Sequence, residues 1–290
     1  MKAILKISLL VFFPLLGFSQ QEGVRFTDKF GPFNETYQQE NDFAKREYVP
    51  YSFVREADVM WSKVTWEMID LREKANLSLY YPIDTIHGRK SLINAIIDGI
   101  TNNEFNAFHA PLKSNAFEFD PNNIFTSVQE ILDLGMREEI IPVEIRPGVT
   151  RDSLVTIRWR PEEIKQILIK EVWYFDRKDS RLRSEIIGLC PIREYTFNGM
   201  MRRQRLFWIY YPDTRHYFAK VPLYSLQSDK PLYSFDDVFV YKYFQSNFIQ
   251  EANVYNDRMI TDYVTGREAQ LESEKIKKEI FDYEQDLWEN

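Results

Sequence analysis

Apolar positions recur at helical spacing over residues 57–76, where Trp61, Val64, Met68, Leu71 and Ala75 fall on one stripe and Met60, Trp66 and Ile69 widen it. The pattern predicts a helix buried on more than one side. Asn76 and the LYYP that follows end it, because the residue before Pro82 resists helical backbone angles. A second helix is predicted over 89–100, with Leu92, Ile93, Ile96, Ile97 and Ile100 apolar and Gly99 near its end; the two helices are expected to pack as a pair. A third, shorter helix is expected over 126–134.

Between 152 and 221 the period changes. β-Branched and aromatic residues gather in short runs (LVTIRW, VWYF, LRSEIIGL, RLFWIYY, HYFAKV) that predict a mostly antiparallel sheet. RLFWIYY has no polar alternation and is expected to be a central strand covered on both faces. One helical interruption is expected at Pro161, where Glu162 and Glu163 favour a helix start and Ile164, Ile167 and Leu168 face the core. Turn signals fall at Asp176 to Ser180 and at Pro212 and Asp213, the second read as a tight hairpin.

The helical pattern returns over 235–256. A last helix is predicted after Gly266, with Ala269, Ile276, Ile280, Tyr283 and Leu287 on one stripe and charge elsewhere. Such a helix either docks on its own chain or finds a groove on another subunit. Residues 20–48 are polar and rich in Gly, Asn and Gln, which predicts an extended or disordered arm, either a frayed terminus or a segment that orders on a partner. The expected organisation is a signal peptide over 1–19, the arm over 20–48, one α+β globular domain over 49–265 and an amphipathic helix over 266–290. The fold class is α+β, helical in its N-terminal part, a mostly antiparallel sheet in the centre and helical again at the C-terminal end.

The start of the chain fits export. Lys2 and Lys6 precede a charge-free apolar run from Ile7 to Phe18, too short for the roughly 20 residues a spanning helix needs. Gly17 and Ser19 suit a signal peptidase, giving an expected mature start at Gln20, and no cysteine nearby can take a lipid. Removing Lys2 and Lys6 takes the net charge from -7 to -9, which argues against a general nucleic-acid binder. With Cys190 the single cysteine, no internal disulfide can form even in an oxidising compartment. Burial has to stabilise the fold, and 22 Phe, 17 Tyr and 6 Trp supply ample apolar area for it.

Candidate chemistry is sparse. His87, His109 and His216 are too scattered for a multi-histidine metal site, and HExxH, paired CxxC, EF-hand and phosphate-binding glycine motifs are missing from the sequence. No cofactor is expected, and no catalytic, cofactor-binding or metal residue is assigned. Cys190 and His216 could form a nucleophile and base, although a cysteine following the apolar IIGL reads more simply as packing. Arg202, Arg203 and Arg205, with Arg181 and Arg183 upstream, could pair across strands into a site for an anion or acidic partner, or form a solvated strand edge. The pairs Glu162, Glu163 and Asp236, Asp237 read as helix-start residues.

The blocks WSKVTWEMIDLREKANLSLYYP (61–82) and GRKSLINAIIDGI (88–100), followed by KEVWYFD, IIGLCPI and LFWIYYP, resemble the gliding-motility GldN/PorN family of the type IX secretion system in Bacteroidetes. The resemblance covers most of the chain beyond the export signal. It implies a non-catalytic periplasmic structural subunit, peripheral to the inner face of the outer membrane. It also implies a large hetero-oligomeric ring with an outer-membrane lipoprotein, GldK or PorK, and contact with the periplasmic part of the motor protein, GldM or PorM. Membrane association would then run through partners alone. The residues by themselves leave open a periplasmic cysteine hydrolase using Cys190 and His216, and a cell-wall glycan-binding module using exposed Trp and Tyr. The arm before Tyr48 and the helix after Gly266 are the expected contact elements.

Overall fold

In the computed structural model of the protein, residues 42–289 are described, apart from 112–118, 121, 147–148, 198, 226–230, 232 and 256. The chain divides into two units, Met1–Asp42 and Phe43–Asn290. The expected signal peptide and most of the polar arm therefore lie outside the described residues. The end of that stretch, Asp42–Lys45, is a single 3-10 turn with Phe43 buried.

The elements in chain order are β1 (Val59–Asp70), α1 (Leu77–Tyr80), α2 (Leu92–Thr101), β2 (Ala107–His109), α3 (Val128–Leu132), β3 (Arg137–Arg146), β4 (Val149–Ile157), β5 (Ile164–Asp176), β6 (Arg181–Phe197), β7 (Met200–Arg205), β8 (Phe207–Tyr210), α4 (Tyr211–Phe218), β9 (Pro222–Leu223), β10 (Tyr233–Ser234), α5 (Phe235–Val240), β11 (Asn247–Glu251) and α6 (Arg267–Glu289). The main sheet runs β11-β1-β5-β6-β8-β2, with β7 paired to β6 off that path and every ladder antiparallel. Strands β3 and β4 form a separate two-stranded ladder, as do β9 and β10.

Strand alternation sorts the core. Ile69, Ile167, Ile169, Phe207 and Ile209 turn to one face, under α2, α4 and α5, where Leu92, Ile96, Phe218 and Phe239 meet them. The intervening Trp66, Leu168 and Trp208 turn to the other face with Cys190 and Phe108. Phe207 and Ile209 are fully buried, each contributing about 1.5–3 kcal/mol of apolar transfer. A third cluster joins Ile276 and Ile280 of α6 to Trp173, Phe248 and Ile260. Tyr283, one turn further along α6, stacks on Trp61 at 4.7 Å. The last helix is thus docked on its own chain, along the stripe its sequence sets out.

The α+β class and the antiparallel sheet agree with the sequence pattern, as do α2, α3, α6 and the turn after Asp176. The helical N-terminal part does not hold at 57–76, where the chain forms β1. Trp61, Val64 and Met68 satisfy a helical period by coincidence. The strand pairs with β5 on one side and β11 on the other, and the alternation that marks it is short: Val64, Trp66 and Met68 share one cluster while the intervening Thr65 and Glu67 are buried polar residues. HYFAKV is not a strand, and Pro212 and Asp213 do not close a hairpin; they open α4, where proline's fixed φ and missing N–H are tolerated. At Pro161 the helix is a single 3-10 turn, Pro161–Glu163, that feeds β5. The stretch 235–256 is helical only to Val240, and Lys242 (φ 54) turns the chain into β11. RLFWIYY is covered on both faces as expected, but its strand β8 neighbours the short edge strand β2.

Candidate functional site

The densest polar constellation lies where β5 and β6 meet α4 and α5. Helix α4 buries Tyr211, Thr214, Arg215 and Phe218 on one stripe, which carries Arg215 inward although it is charged. Burial of a guanidinium requires a partner. Arg215 Nε and Nη2 donate to Asp236 Oδ1 and Oδ2 at 2.9 and 3.2 Å, and the Tyr211 hydroxyl donates to Oδ1 at 2.8 Å. Asp236 comes from the first turn of α5, whose start is closed by a reciprocal cap between Ser234 and Asp237. Arg46 Nη1 donates to Asp237 Oδ2 at 2.7 Å, tying the segment before β1 to the same helix end. The Arg215 guanidinium carbon stands 4.4 Å over the Tyr51 ring. Burial drives the Tyr51 and Tyr211 hydroxyls well above the usual phenol range, so both stay protonated.

Beside this pair, Glu171 of β5 is 1% exposed and takes Lys242 Nζ at 2.7 Å. The same ammonium sits 3.9 Å from the Trp173 ring centroid. Burial pushes the Glu171 carboxyl up to about 8, with the Lys242 charge opposing and the Glu67 charge adding to the rise. Glu67, buried on β1, accepts from Ser246 Oγ at 2.5 Å. Arg183, Glu185, Tyr51, Glu171, Arg215 and Lys242 line a cleft of about 370 Å³. A second cleft of about 410 Å³ is lined on the opposite face by Met68, Leu168, Ile192, Ile249 and Met259 with Arg203.

In the first cleft Arg215, Lys242 and Arg183 are each paired with a carboxylate, and Glu185 accepts from Tyr174 at 2.6 Å. The arrangement fixes loops to the sheet, and burial raises the Glu171 carboxyl against the pull of the Lys242 charge. Among the described residues no group of three or more His, Cys, Asp or Glu could hold a metal ion, and no helix is long and apolar enough to cross a membrane.

The structure does not bring Cys190 and His216 together. Cys190 is fully buried among Trp66, Leu168 and Trp208, and burial raises its thiol to about 12, far from a reactive thiolate. His216 lies on the outer side of α4, with Nε2 at 2.9 Å from Glu104 Oε2. The two arginine groups are also separate. Arg181 and Arg183 open the 17-residue β6, opposite Asp176 and Tyr174, whereas Arg202, Arg203 and Arg205 lie along β7 beside the far end of β6. Glu163 does more than start a helix, because Arg193 Nε, on a side chain with no exposed area, donates to its Oε2 at 2.5 Å. Trp66, Trp159, Trp173 and Trp208 are buried and Trp61 lies under Tyr283, so these five offer no open ring for sugar stacking. Arg215 and Asp236 as a pair escaped the sequence pattern; the signal was the i, i+4, i+7 spacing of Tyr211, Arg215 and Phe218.

Residues 54–289 match the family model described as gliding motility associated protein GldN. No curated protein matches the chain significantly.

Proposed function

The chain belongs to the GldN family of gliding-motility associated proteins, and from that membership we propose that it is a non-catalytic periplasmic subunit of the type IX secretion and gliding machine. In this reading it is exported by its N-terminal signal and joins an outer-membrane lipoprotein of the GldK/PorK type in a ring. It also meets the periplasmic part of a GldM/PorM-type motor protein. The observation that carries the reading is the family match across nearly the whole chain beyond the signal and the polar arm. The buried, high-pKa Cys190 and the ion pairs Arg215–Asp236 and Lys242–Glu171 at the first cleft fit a geometric role better than turnover.

The test is affinity purification of the tagged protein from its native envelope, with mass spectrometry of what accompanies it. Recovery of a lipoprotein and a motor subunit in comparable amounts supports the reading. Recovery of the protein alone and monomeric refutes it. Cys190→Ala should leave secretion at the wild-type level, whereas its loss would restore the hydrolase reading.

A further inference from the structure

The first cleft keeps hydrogen-bond donors that no described residue accepts from. Arg215 is 2% exposed, and Asp236 takes its Nε and Nη2. Its Nη1 is buried with no hydrogen-bond partner among the described residues. The Tyr51 and Tyr48 rings stand 4.4 and 5.3 Å from the guanidinium carbon and give that nitrogen no acceptor. Arg183 repeats the arrangement. Its Nη2 meets Asp179 and its Nη1 donates to Ser52 Oγ at 3.1 Å, while Nε is buried without a hydrogen-bond partner, 4.0 Å from Asp176 Oδ2. A buried charged donor left without its bond costs more than an ordinary hydrogen bond contributes, so two of them in one cleft call for a reason.

Both arginines line the cleft of about 370 Å³, as does Lys242, whereas Asp236, Asp176 and Asp179 do not. The two carboxylates that do line it already have donors: Glu171 takes Lys242 Nζ at 2.7 Å, and Glu185 takes the Tyr174 hydroxyl at 2.6 Å. The side chains of Lys242 and Arg183 are 33% and 29% exposed, so an incoming acceptor can reach them from solvent. What the cleft lacks is an acceptor. A single negative charge suits it better than a dianion, which Glu171 and Glu185 would repel more strongly.

The rest of the lining has a different character. Val49, Val240 and Tyr241 line the cleft and are exposed, which sets an apolar rim beside the cations. The run 49–52 lines it too. That run belongs to no strand or helix, and it makes no backbone–backbone hydrogen bond among the described residues. Its main-chain groups can pair with a second main chain, which a fatty acid or an inorganic anion does not have.

We infer that this cleft takes the C-terminal end of a partner peptide. The carboxylate accepts from Arg183 and Lys242 and meets the unpartnered Nη1 of Arg215, the last apolar side chain lies against Val49, Val240 and Tyr241, and the peptide main chain runs beside 49–52. The inference goes beyond the secretion reading and does not depend on it, because the peptide is defined by its free carboxylate and apolar end, whatever chain carries them.

The test is a titration of the full chain without its predicted export signal, followed by the NMR amide resonances of Val49, Tyr51 and Lys242 and the Nε–H resonances of the arginines. The probes are acetyl-Ala-Val-Phe with a free carboxylate, the same tripeptide as its C-terminal amide, and octanoate. The expected result is saturable binding of the free peptide at millimolar concentration or below, with shifts at these positions, and amide binding weaker by about tenfold. Arg183→Gln should weaken the free peptide by about the same factor. Removing Arg215 would strand the buried Asp236 and endanger the fold, so the second variant is at the rim. Val49→Ser should weaken peptide binding with the melting temperature unchanged, because Val49 is exposed. No saturable shift at millimolar peptide, equal binding of the amide, or unchanged binding by Arg183→Gln overturns the inference. Octanoate binding as tightly as the peptide overturns the assignment to a peptide. Each of these failures leaves co-purification of envelope partners as a separate test of the family-based function.

Discussion

Two antiparallel hairpins occupy the middle of the chain, and they are stabilised in opposite ways. The β5–β6 hairpin lies at the centre of the main sheet, with Ile167, Ile169 and Leu189 under helices on one face and Leu168 and Cys190 packed on the other. Its charges are buried and matched, as with Arg193 and Glu163 or Glu171 and Lys242. The β3–β4 hairpin has comparable strands but joins no other strand among the described residues, and Glu138, Arg151, Asp152, Ser153, Leu154 and Thr156 are exposed. Strand propensity alone is therefore silent on which hairpin is a core and which an arm. The decisive difference is tertiary, because a strand is worth what covers it.

The sharpest way to break the contrast is Arg193→Ala. It removes a buried guanidinium that holds Glu163 and the Gly135 carbonyl and lies over Tyr195. Stranding a largely buried carboxylate costs about 3–5 kcal/mol, a loss that chemical denaturation would measure directly. The arm's root is held by the same side chain, so protease cleavage near Gly135 should accelerate in this variant as well.

A smaller loss follows from thinning the cover over β5. Ile280 of α6 is 1% exposed against Trp173, and Ile280→Ala should cost about 2–4 kcal/mol. Faster amide exchange confined to 267–289 would show that α6 opens locally. Uniform acceleration across the sheet would make the helix part of the global unfolding unit instead.

The buried carboxyl of Glu171 gives a pH test. Burial raises it to about 8, above its unfolded value, so the folded state holds a proton that the unfolded state releases. Its contribution is most favourable below the unfolded pKa and is lost as pH rises through the window up to about 8. Glu171→Gln should flatten this slope, with an effect on the order of 1 kcal/mol between mildly acid and alkaline conditions. Thermal melts at several pH values would check it, and an unchanged slope would assign the pH dependence to other groups.

Much of the same contrast was legible in the sequence, and the illegible part has physical causes. The amphipathic stripe of α6 stood out because one face of it remains in solvent: Ile276 and Ile280 are buried while Leu271 and Phe281 are exposed. β1 was misread because Trp61, Val64, Met68 and Leu71 also suit a helix, while the alternation that marks the strand, Val64-Thr65-Trp66-Glu67-Met68, runs over only five positions before the apolar Ile69. The Arg215–Asp236 pair spans 21 positions and two helices, and no local pattern announces a contact made by packing. Only the second strand of the arm, β4, was read from the sequence, through LVTIRW; β3 (Arg137–Arg146) lies before the stretch read as strands, with Pro142 interrupting its apolar run.

The smallest predicted change is the most informative about the arm. Leu154 is 62% exposed on a ladder that no other strand joins, so Leu154→Ser removes no core contact from its own chain. In a dilute, monomeric sample the denaturation midpoint should stay within about 0.5 kcal/mol of wild type, the range for surface changes away from buried features. A loss of stability in the dilute sample would place Leu154 against its own chain and make the arm a second core.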